Sequence, residues 1–392
     1  MKHLLTGLSA RDYTLAAVLF LAEFSRGAFF LTYLPLYASE FPGLTVATAG
    51  IAASAHFLSE NILKVHAGWH HDRYGRAVLQ AGLALGLLSL AAAWYFPGPG
   101  PVIAASAFMG AGLSPLWVSI IAEVAPVDRK NRPLLVSLVF AAWLSGAGAG
   151  LAGINFFISR GYGIAFAVIF CSLLAALAIS LVCPPPPCPR EGGFARESVL
   201  AALRQVASGR TLTRFLLPGM FLQTLAASIL LPVLPVFATK DLGLSHDRYG
   251  ILLMAGGAAT VLALFPMGRL VSRLKPGMVL SCAFFTASAA LSGLFLAGNR
   301  HNAIIWVLVL GLSYAAVLPS WNTLLSRVVP PDKQATGWGV LSTVEGLGIT
   351  IGPALGGILA GSISPGTVLM AAAGILLVMT LFYALFPVER FL

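Results

Sequence analysis

Residues 162–183 read YGIAFAVIFCSLLAALAISLVC, an unbroken apolar stretch without a charged side chain. A helix of about 20 apolar residues spans the hydrocarbon core of a bilayer, which is about 30 Å thick, so this stretch predicts a transmembrane helix. Similar stretches recur along the whole chain. The twelve predicted spans are residues 13–39, 44–67, 77–96, 101–125, 133–158, 162–183, 212–238, 247–271, 277–298, 302–326, 335–361 and 365–387.

The overall composition supports the same interpretation. Hydrophobic residues make up 58% of the chain and charged residues only 10%, compared with about 25% charged in an average soluble domain. We therefore predict an all-α polytopic membrane protein and exclude a soluble fold. The first span is too long for a signal-peptide core and has no credible cleavage site, so we expect it to be a mature helix.

The formal net charge of +10 would suit a nucleic-acid-binding protein, but the positions of the basic residues explain it differently. Most lysines and arginines fall in the connections that are cytoplasmic if the N-terminus is cytoplasmic. Only Arg160, Lys240, Arg248 and Arg300 fall in the opposite connections. The positive-inside rule therefore predicts a protein of the cytoplasmic membrane with both termini inside, and we expect no nucleic-acid partner.

The chain contains an internal repeat. The matching positions are Leu34, Pro35, Tyr37, Ala38, Gly50, Ile51, Gly68 and Arg73 with Leu234, Pro235, Phe237, Ala238, Gly250, Ile251, Gly268 and Arg273, then Pro115, Trp117, Asp128 and Gly148 with Pro319, Trp321, Asp332 and Gly352. These two registers predict two homologous six-helix halves, residues 1–183 and 212–392, joined by the polar connection 184–211. Parallel halves with a midplane site between them resemble the plan of the major facilitator superfamily.

The connection between the second and third spans carries the most specific motif. It reads GWHHDRYGR at 68–76 and resembles the cytoplasmic loop signature of the same superfamily. Its acid and arginines can form charge-assisted bonds in one conformation of a gate and release them in the other, whereas a plain basic loop is the alternative. Ser272 stands where Asp72 would recur, so we expect an asymmetric gate. The predicted gating residues are Gly68, Asp72, Arg73, Gly75 and Arg76.

Glycines of the fifth span spell a dinucleotide-binding fingerprint at 148–153. No strand precedes them and they lie in an apolar helix, so we reject nucleotide binding. Small residues allow membrane helices to approach closely, and we expect such packing here and in the eleventh span. The residues concerned are Gly146, Gly148, Gly150 and Gly153, and Gly348, Gly352, Gly356 and Gly357.

Charged residues inside two spans are the clearest functional signal, because an ionisable group in a membrane helix is costly unless it faces a partner or water. The first span holds Glu23 and Arg26, and the second holds His56, Glu60 and Lys64. Their spacings of three and four residues place them on one face of each helix. We predict a buried acid/base cluster between the two helices. A purely structural ion network is the alternative, and Lys64 has the further alternative of extending to the membrane surface.

The second half differs, because its span centres carry only Glu345 as a charged residue and otherwise the polar groups Gln223, Thr224, Asn322 and Thr323. A cavity with one charged and one apolar wall suits an amphiphile with a polar head and hydrocarbon tails. Three tryptophans, Trp117, Trp143 and Trp321, are candidates to line it. Packing against lipid or the protein core is nearly as common a role for such residues.

These spans also resemble a narrower family, the glycolipid flippases of lipoteichoic-acid assembly. Members of that family are proton-coupled transporters that move a disaccharide-diacylglycerol anchor across the cytoplasmic membrane of Gram-positive bacteria. The resemblance covers nearly the whole chain. It rests on residues 21–27, His56-Phe57 with Glu60, residues 114–118, Trp143-Leu144, residues 232–235, residues 318–323 and residues 336–340.

The resemblance implies that Glu23, Arg26 and Glu60 couple protons and that the proton gradient replaces any cofactor. It also implies that Trp117 and Trp143 bind the head group. The full set of predicted substrate-binding residues is Glu23, Arg26, His56, Glu60, Trp117, Trp143, Gln223, Trp321, Asn322 and Glu345. The chain departs from the family at two of them, with Glu60 where an aspartate is expected and Glu345 where an amide is expected.

The sequence therefore predicts a proton-coupled glycolipid flippase that acts as a monomer, with a lipid substrate, protons and membrane lipids as its partners. Proton-coupled export of drugs or other lipophilic compounds is the alternative, because one fold serves both functions. A membrane enzyme acting on lipids would need a metal cluster or an activated nucleophile. His70-His71-Asp72 is the nearest approach to a metal site and coincides with the loop motif, so we predict neither a metal nor an enzymatic activity.

Overall fold

The computed structural model describes residues 9–126, 129, 131–183, 216–296, 300–328 and 334–386. Nearly all of these residues are helical, and the predicted all-α architecture is confirmed. The helices are α1 (Ala10–Glu40), α2 (Val46–Tyr74), α3 (Ala77–Tyr95), α4 (Pro99–Val124), α5 (Arg132–Gly153), α6 (Tyr162–Val182), α7 (Leu217–Ser228), α8 (His246–Arg273), α9 (Pro276–Leu296), α10 (Arg300–Val328), α11 (Gln334–Ser362) and α12 (Pro365–Leu385).

The chain divides into two compact units, one up to residue 194 and the other from residue 195. The N-terminal unit contains α1–α6 and the C-terminal unit contains α7–α12. The predicted connection 184–211 lies outside the described residues. Each unit has its own buried apolar interior, built from alanine, leucine and aromatic side chains.

Within the described part of the chain, ten helices are long and apolar enough to cross a membrane. The other two predicted spans, α2 and α7, do not meet this criterion of length and apolar character, for different reasons. α2 has 29 residues but carries His56, Glu60 and Lys64 along its length. α7 is interrupted after Ser228 and resumes as a short helix at Leu234–Val236.

The second span is longer than the sequence predicts. Hydropathy places its end at residue 67, but α2 continues to Tyr74, so most of the predicted gating loop is helical. Hydropathy marks where apolar side chains end, whereas backbone hydrogen bonds continue into the polar region. The turn is confined to Gly75 and Arg76, and Gly75 has a φ of 62°, a left-handed conformation that favours glycine.

The same helix pairs pack in both units. α1 packs on α5 and α2 on α4 in the N-terminal unit, as α7 packs on α11 and α8 on α10 in the C-terminal unit. A π-helical segment also occurs in the first helical region of each unit, at Phe29–Tyr33 and at Phe237–Asp241. This correspondence agrees with the repeat in the sequence.

Glycine brings α5 into backbone contact with α1, as the sequence predicts. A Cβ atom added at Gly146 would lie 2.5 Å from the backbone oxygen of Phe20, and one at Gly150 would lie 2.2 Å from that of Phe24. Gly148 does not share this role, because it faces open space. In the C-terminal unit Gly348, Gly352 and Gly356 of α11 approach α7 in the same way.

We therefore expect Gly150→Ala to destabilise the N-terminal unit by about 1–3 kcal/mol, because the new methyl group overlaps the α1 backbone. Gly148→Ala is the matched control and should be neutral or slightly stabilising, since alanine is the better helix former and nothing obstructs its methyl group. Thermal unfolding of both variants in detergent measures the difference. Equal melting temperatures for the two variants would contradict this account of the α1–α5 contact.

Candidate functional site

Two helices of the N-terminal unit bring four charged side chains together. The three-residue spacing in α1 puts Glu23 and Arg26 on one face, and the four-residue spacing in α2 puts Glu60 and Lys64 on one stripe. These faces meet in the interior of the unit. We call this group, together with His56, the Arg26 cluster.

Arg26 bridges the two carboxylates. Its Nη2 atom donates to Glu23 Oε2 at 2.6 Å, and its Nη1 atom donates to Glu60 Oε2 at 2.8 Å. The side chains of Glu23 and Glu60 are only 2% and 9% exposed. Burying two carboxylates costs several kcal/mol per ion, and the planar guanidinium offsets this cost because it can donate to both at once. The four charges of the cluster sum to zero, which is the balance that an apolar interior favours.

His56 lies at the buried side of the cluster, next to Glu60. It is fully buried, and its ring packs on Phe30 and Phe57 with centroid distances of 4.2 and 5.2 Å. Its Nε2 atom lies 3.7 Å from Glu60 Oε2, and neither ring nitrogen has a hydrogen-bond partner among the described residues. α4 covers the backbone of His56 through Gly110, where an added Cβ would lie 2.1 Å from the His56 oxygen.

Trp117 of α4 and Trp143 of α5 form an aromatic group with Phe140. The two indoles are 5.7 Å apart and nearly perpendicular, and Phe140 packs edge-on against both. Both indoles are half-buried. Trp143 lies one turn before Gly146, the residue at which α5 touches Glu23, so the α5 part of this aromatic group is close in sequence to the contact with the Arg26 cluster.

The predicted site residues of the C-terminal unit are arranged differently. Trp321 is buried and donates its indole N–H to Gln223, so these two polar groups satisfy each other. Asn322 is exposed and donates to the Leu318 oxygen at 3.0 Å, and Glu345 is also exposed. Trp321 also packs against Tyr383 within the unit, with ring centroids 5.9 Å apart.

A second ionic group lies where α1 begins and α2 and α4 end. Glu123 accepts hydrogen bonds from Arg11 at 2.6 Å and from Arg76, and His71 lies 3.9 Å away. Arg76 also donates to the Cys183 oxygen at 2.6 Å, which ties α6 to the same point. We call Arg11, His71, Arg76 and Glu123 the Glu123 cluster.

The contacts of the gating motif extend to residues outside it. Arg129 does not bind Glu123 but binds Asp12, at 2.9 Å. Asp72 and Arg73 are exposed, and Gly68 has no neighbouring atom within 4 Å of an added Cβ, so within this unit it does not serve close packing. A carboxylate at the end of an apolar helix was the available signal for Glu123, whereas nothing in the local pattern indicates Arg11.

No group of three or more His, Cys, Asp and Glu side chains that would suit a metal ion occurs in the described ranges. The ionisable residues are instead arranged as carboxylates against permanent cations. Carboxylates can take up protons, and guanidinium and ammonium groups can donate hydrogen bonds.

Comparison with known proteins identifies the family. The Major Facilitator Superfamily profile matches residues 15–221 and 216–391. The chain therefore belongs to the major facilitator superfamily of multi-pass membrane transporters.

Within this superfamily the chain is similar to a staphylococcal group. It is 31% identical to the proton-coupled antiporter flippase LtaA of Staphylococcus haemolyticus, over 98% of this chain and 96% of that protein. It is 30% identical to the protein of the same name from Staphylococcus saprophyticus, over 87% of this chain and 85% of that protein.

Solved structures support the fold. The nucleoside transporter NupG aligns with a TM-score of 0.77 and 13% identity, covering 96% of this chain and 99% of that one. A bacterial homologue of the human lysosomal transporter Spinster, in an inward-facing and unoccupied conformation, aligns with a TM-score of 0.76 and 16% identity, covering 97% and 96%.

We expect Arg26→Met to lower the free energy of unfolding by about 3–5 kcal/mol, because it leaves two buried carboxylates without their shared cation. The triple variant Glu23→Gln, Arg26→Met, Glu60→Gln should recover part of this loss, since it removes the unpaired charges as well. Thermal unfolding in detergent compares the two. A triple variant less stable than the single variant would contradict the view that Arg26 compensates these carboxylates.

Proposed function

We propose that this transporter couples proton movement to the flipping of a glycolipid, the disaccharide-diacylglycerol anchor of lipoteichoic acid, across the cytoplasmic membrane. The observation that carries the proposal is the Arg26 bridge between two buried carboxylates. The names of the staphylococcal relatives support proton coupling and flipping. The choice of glycolipid follows from the resemblance of the site residues to those of the flippases of lipoteichoic-acid assembly.

Proton coupling follows from the sharing of one guanidinium. When Glu23 or Glu60 takes up a proton, that carboxyl loses its charge and weakens its bond with Arg26. Arg26 then has N–H groups free to donate to another acceptor, such as a sugar hydroxyl oxygen. Release of the proton restores the ion pair and displaces the sugar. The carboxylate and the head group thus compete for Arg26, so proton uptake favours head-group binding and proton release opposes it, which couples the two movements.

We assign recognition of the glycolipid head group to the N-terminal unit, which also holds the Arg26 cluster. Trp117 and Trp143 offer indole faces to the C–H faces of a sugar ring, and Glu23, Arg26, His56 and Glu60 offer donors and acceptors to its hydroxyl groups. In the C-terminal unit Asn322 and Glu345 expose their side chains for further head-group contacts. The apolar helices of that unit suit the hydrocarbon tails.

We also propose an orientation in the membrane and a cytoplasmic gate. We place both termini in the cytoplasm, which puts the Glu123 cluster and the exposed pair Asp72 and Arg73 at the cytoplasmic end. These groups then hold the gate closed in one conformation and separate in the other. The protein acts as a monomer in this scheme.

We expect Glu23→Gln and Glu60→Gln each to abolish proton-driven flipping while leaving the protein folded, because an amide cannot exchange a proton. Glu40→Gln is the matched control, since Glu40 is an exposed acid at the far end of the same helix as Glu23. Reconstitution into proteoliposomes with and without a pH gradient measures flipping of the labelled glycolipid. Normal rates of gradient-driven flipping in both Glu23→Gln and Glu60→Gln would contradict the proposed proton coupling.

We expect Trp117→Ala and Trp143→Ala to weaken binding of the glycolipid head group about tenfold, because each removes an aromatic face worth about 1 kcal/mol or more. Trp69→Ala is the control, since Trp69 is exposed and lies outside the aromatic group. Titration with the free disaccharide and with the intact glycolipid gives the affinities. Unchanged glycolipid binding, together with tighter binding of lipophilic cations, would favour the drug-exporter alternative.

A further inference from the structure

Lys64 is part of the Arg26 cluster, as its place on the stripe with His56 and Glu60 predicts, and does not follow the alternative of extending to the membrane surface. Its Nζ atom lies 3.3 Å from Glu60 Oε1. Arg26 occupies the other oxygen, Oε2. Each oxygen of Glu60 therefore has a cation of its own, whereas Glu23 has only its share of Arg26.

The side chain of Lys64 is directed towards the cluster. α2 continues for ten residues after Lys64, to Tyr74, which corresponds to about 15 Å of helix at 1.5 Å per residue. The ammonium group does not extend along this length but turns back by one helical turn towards Glu60. Its side chain is 35% exposed, compared with 15% for Arg26, so Lys64 lies at the more accessible edge of the cluster.

Few other charges act on Glu60. α1 contributes Glu23 and Arg26, and α2 contributes His56 and Lys64. In the sequence of α4, which packs on α2, the only ionisable group is Glu123 at its far end. α3 and α5 have no charged residue between 77–95 and 134–153. Among the described charges of the N-terminal unit, Arg26 and Lys64 are therefore the two cations in direct contact with Glu60.

We propose that Lys64 is a positioning residue that sets the pH range of transport and keeps Glu60 paired when Arg26 moves to the substrate. This inference rests on the proposed proton coupling. With Lys64 in place, the deprotonated cluster is neutral and the protonated cluster carries one positive charge. Without Lys64, the deprotonated cluster carries one negative charge, so the carboxylates hold their proton more tightly and release it only at higher pH.

The test compares Lys64→Gln, Lys64→Arg and the control His66→Gln, which changes an exposed residue two positions along the same helix. Flipping of labelled glycolipid in proteoliposomes is measured as a function of pH. We expect Lys64→Gln to move the midpoint of the profile upward by about one unit, the lower end of the effect of a neighbouring charge because the side chain is partly exposed. Lys64→Arg should restore the wild-type midpoint, and His66→Gln should match the wild type.

Two failures are distinguishable. If wild-type flipping has no pH or gradient dependence, the proposed proton coupling is wrong. If the wild type depends on pH and the Lys64→Gln profile has the same midpoint with only a lower maximum, coupling stands and the role given to Lys64 is wrong. If Lys64→Gln loses its melting transition, Lys64→Met is measured in its place, and an unshifted midpoint in that folded variant overturns the inference.

Discussion

The structure of the N-terminal unit depends on the pairing of one guanidinium with two carboxylates in an apolar interior. Arg26 donates to Glu23 and Glu60 only if α1 and α2 keep a fixed register, because the planar fork tolerates little displacement. Neighbouring helices enforce that register. Gly146 seats α5 directly behind Glu23, and Gly110 seats α4 directly behind His56. The glycines thus place helix backbone directly against Glu23 and His56.

α1 is anchored at two points by ionic contacts. Arg11 joins it to Glu123 near its start, and Arg26 joins it to Glu60 about fifteen residues later, which is about 22 Å along the helix. A change in the pairing of Arg26 is therefore felt by a rigid helix whose other end is held by a second ionic group. Under the proposed proton coupling, this connection links proton uptake in the middle of the unit with rearrangement at its end.

The fold was largely readable from the sequence, because length and hydropathy determine where a membrane helix forms. The Arg26 cluster was also readable, since charges in apolar helices demand partners and helical spacing shows which faces they share. Three features could not be predicted from the sequence. The true end of α2 at Tyr74, the internal pairing of Trp321 with Gln223, and the contact of Arg11 with Glu123 all depend on tertiary packing. Local patterns carry no information about such long-range partners.

The π-helical segment Phe29–Tyr33 has a consequence for how α1 tolerates insertion or loss of residues. A π-turn holds one residue more than an α-turn, and one residue corresponds to about 100° of rotation around a helix with 3.6 residues per turn. The segment therefore accommodates one additional residue without turning the half of α1 that bears Glu23 and Arg26 relative to the half that bears Pro35 and Tyr37. Deletion of a single residue there would convert it to a regular α-helix and leave the two halves in phase, whereas a deletion elsewhere in α1 would turn one half by about 100°.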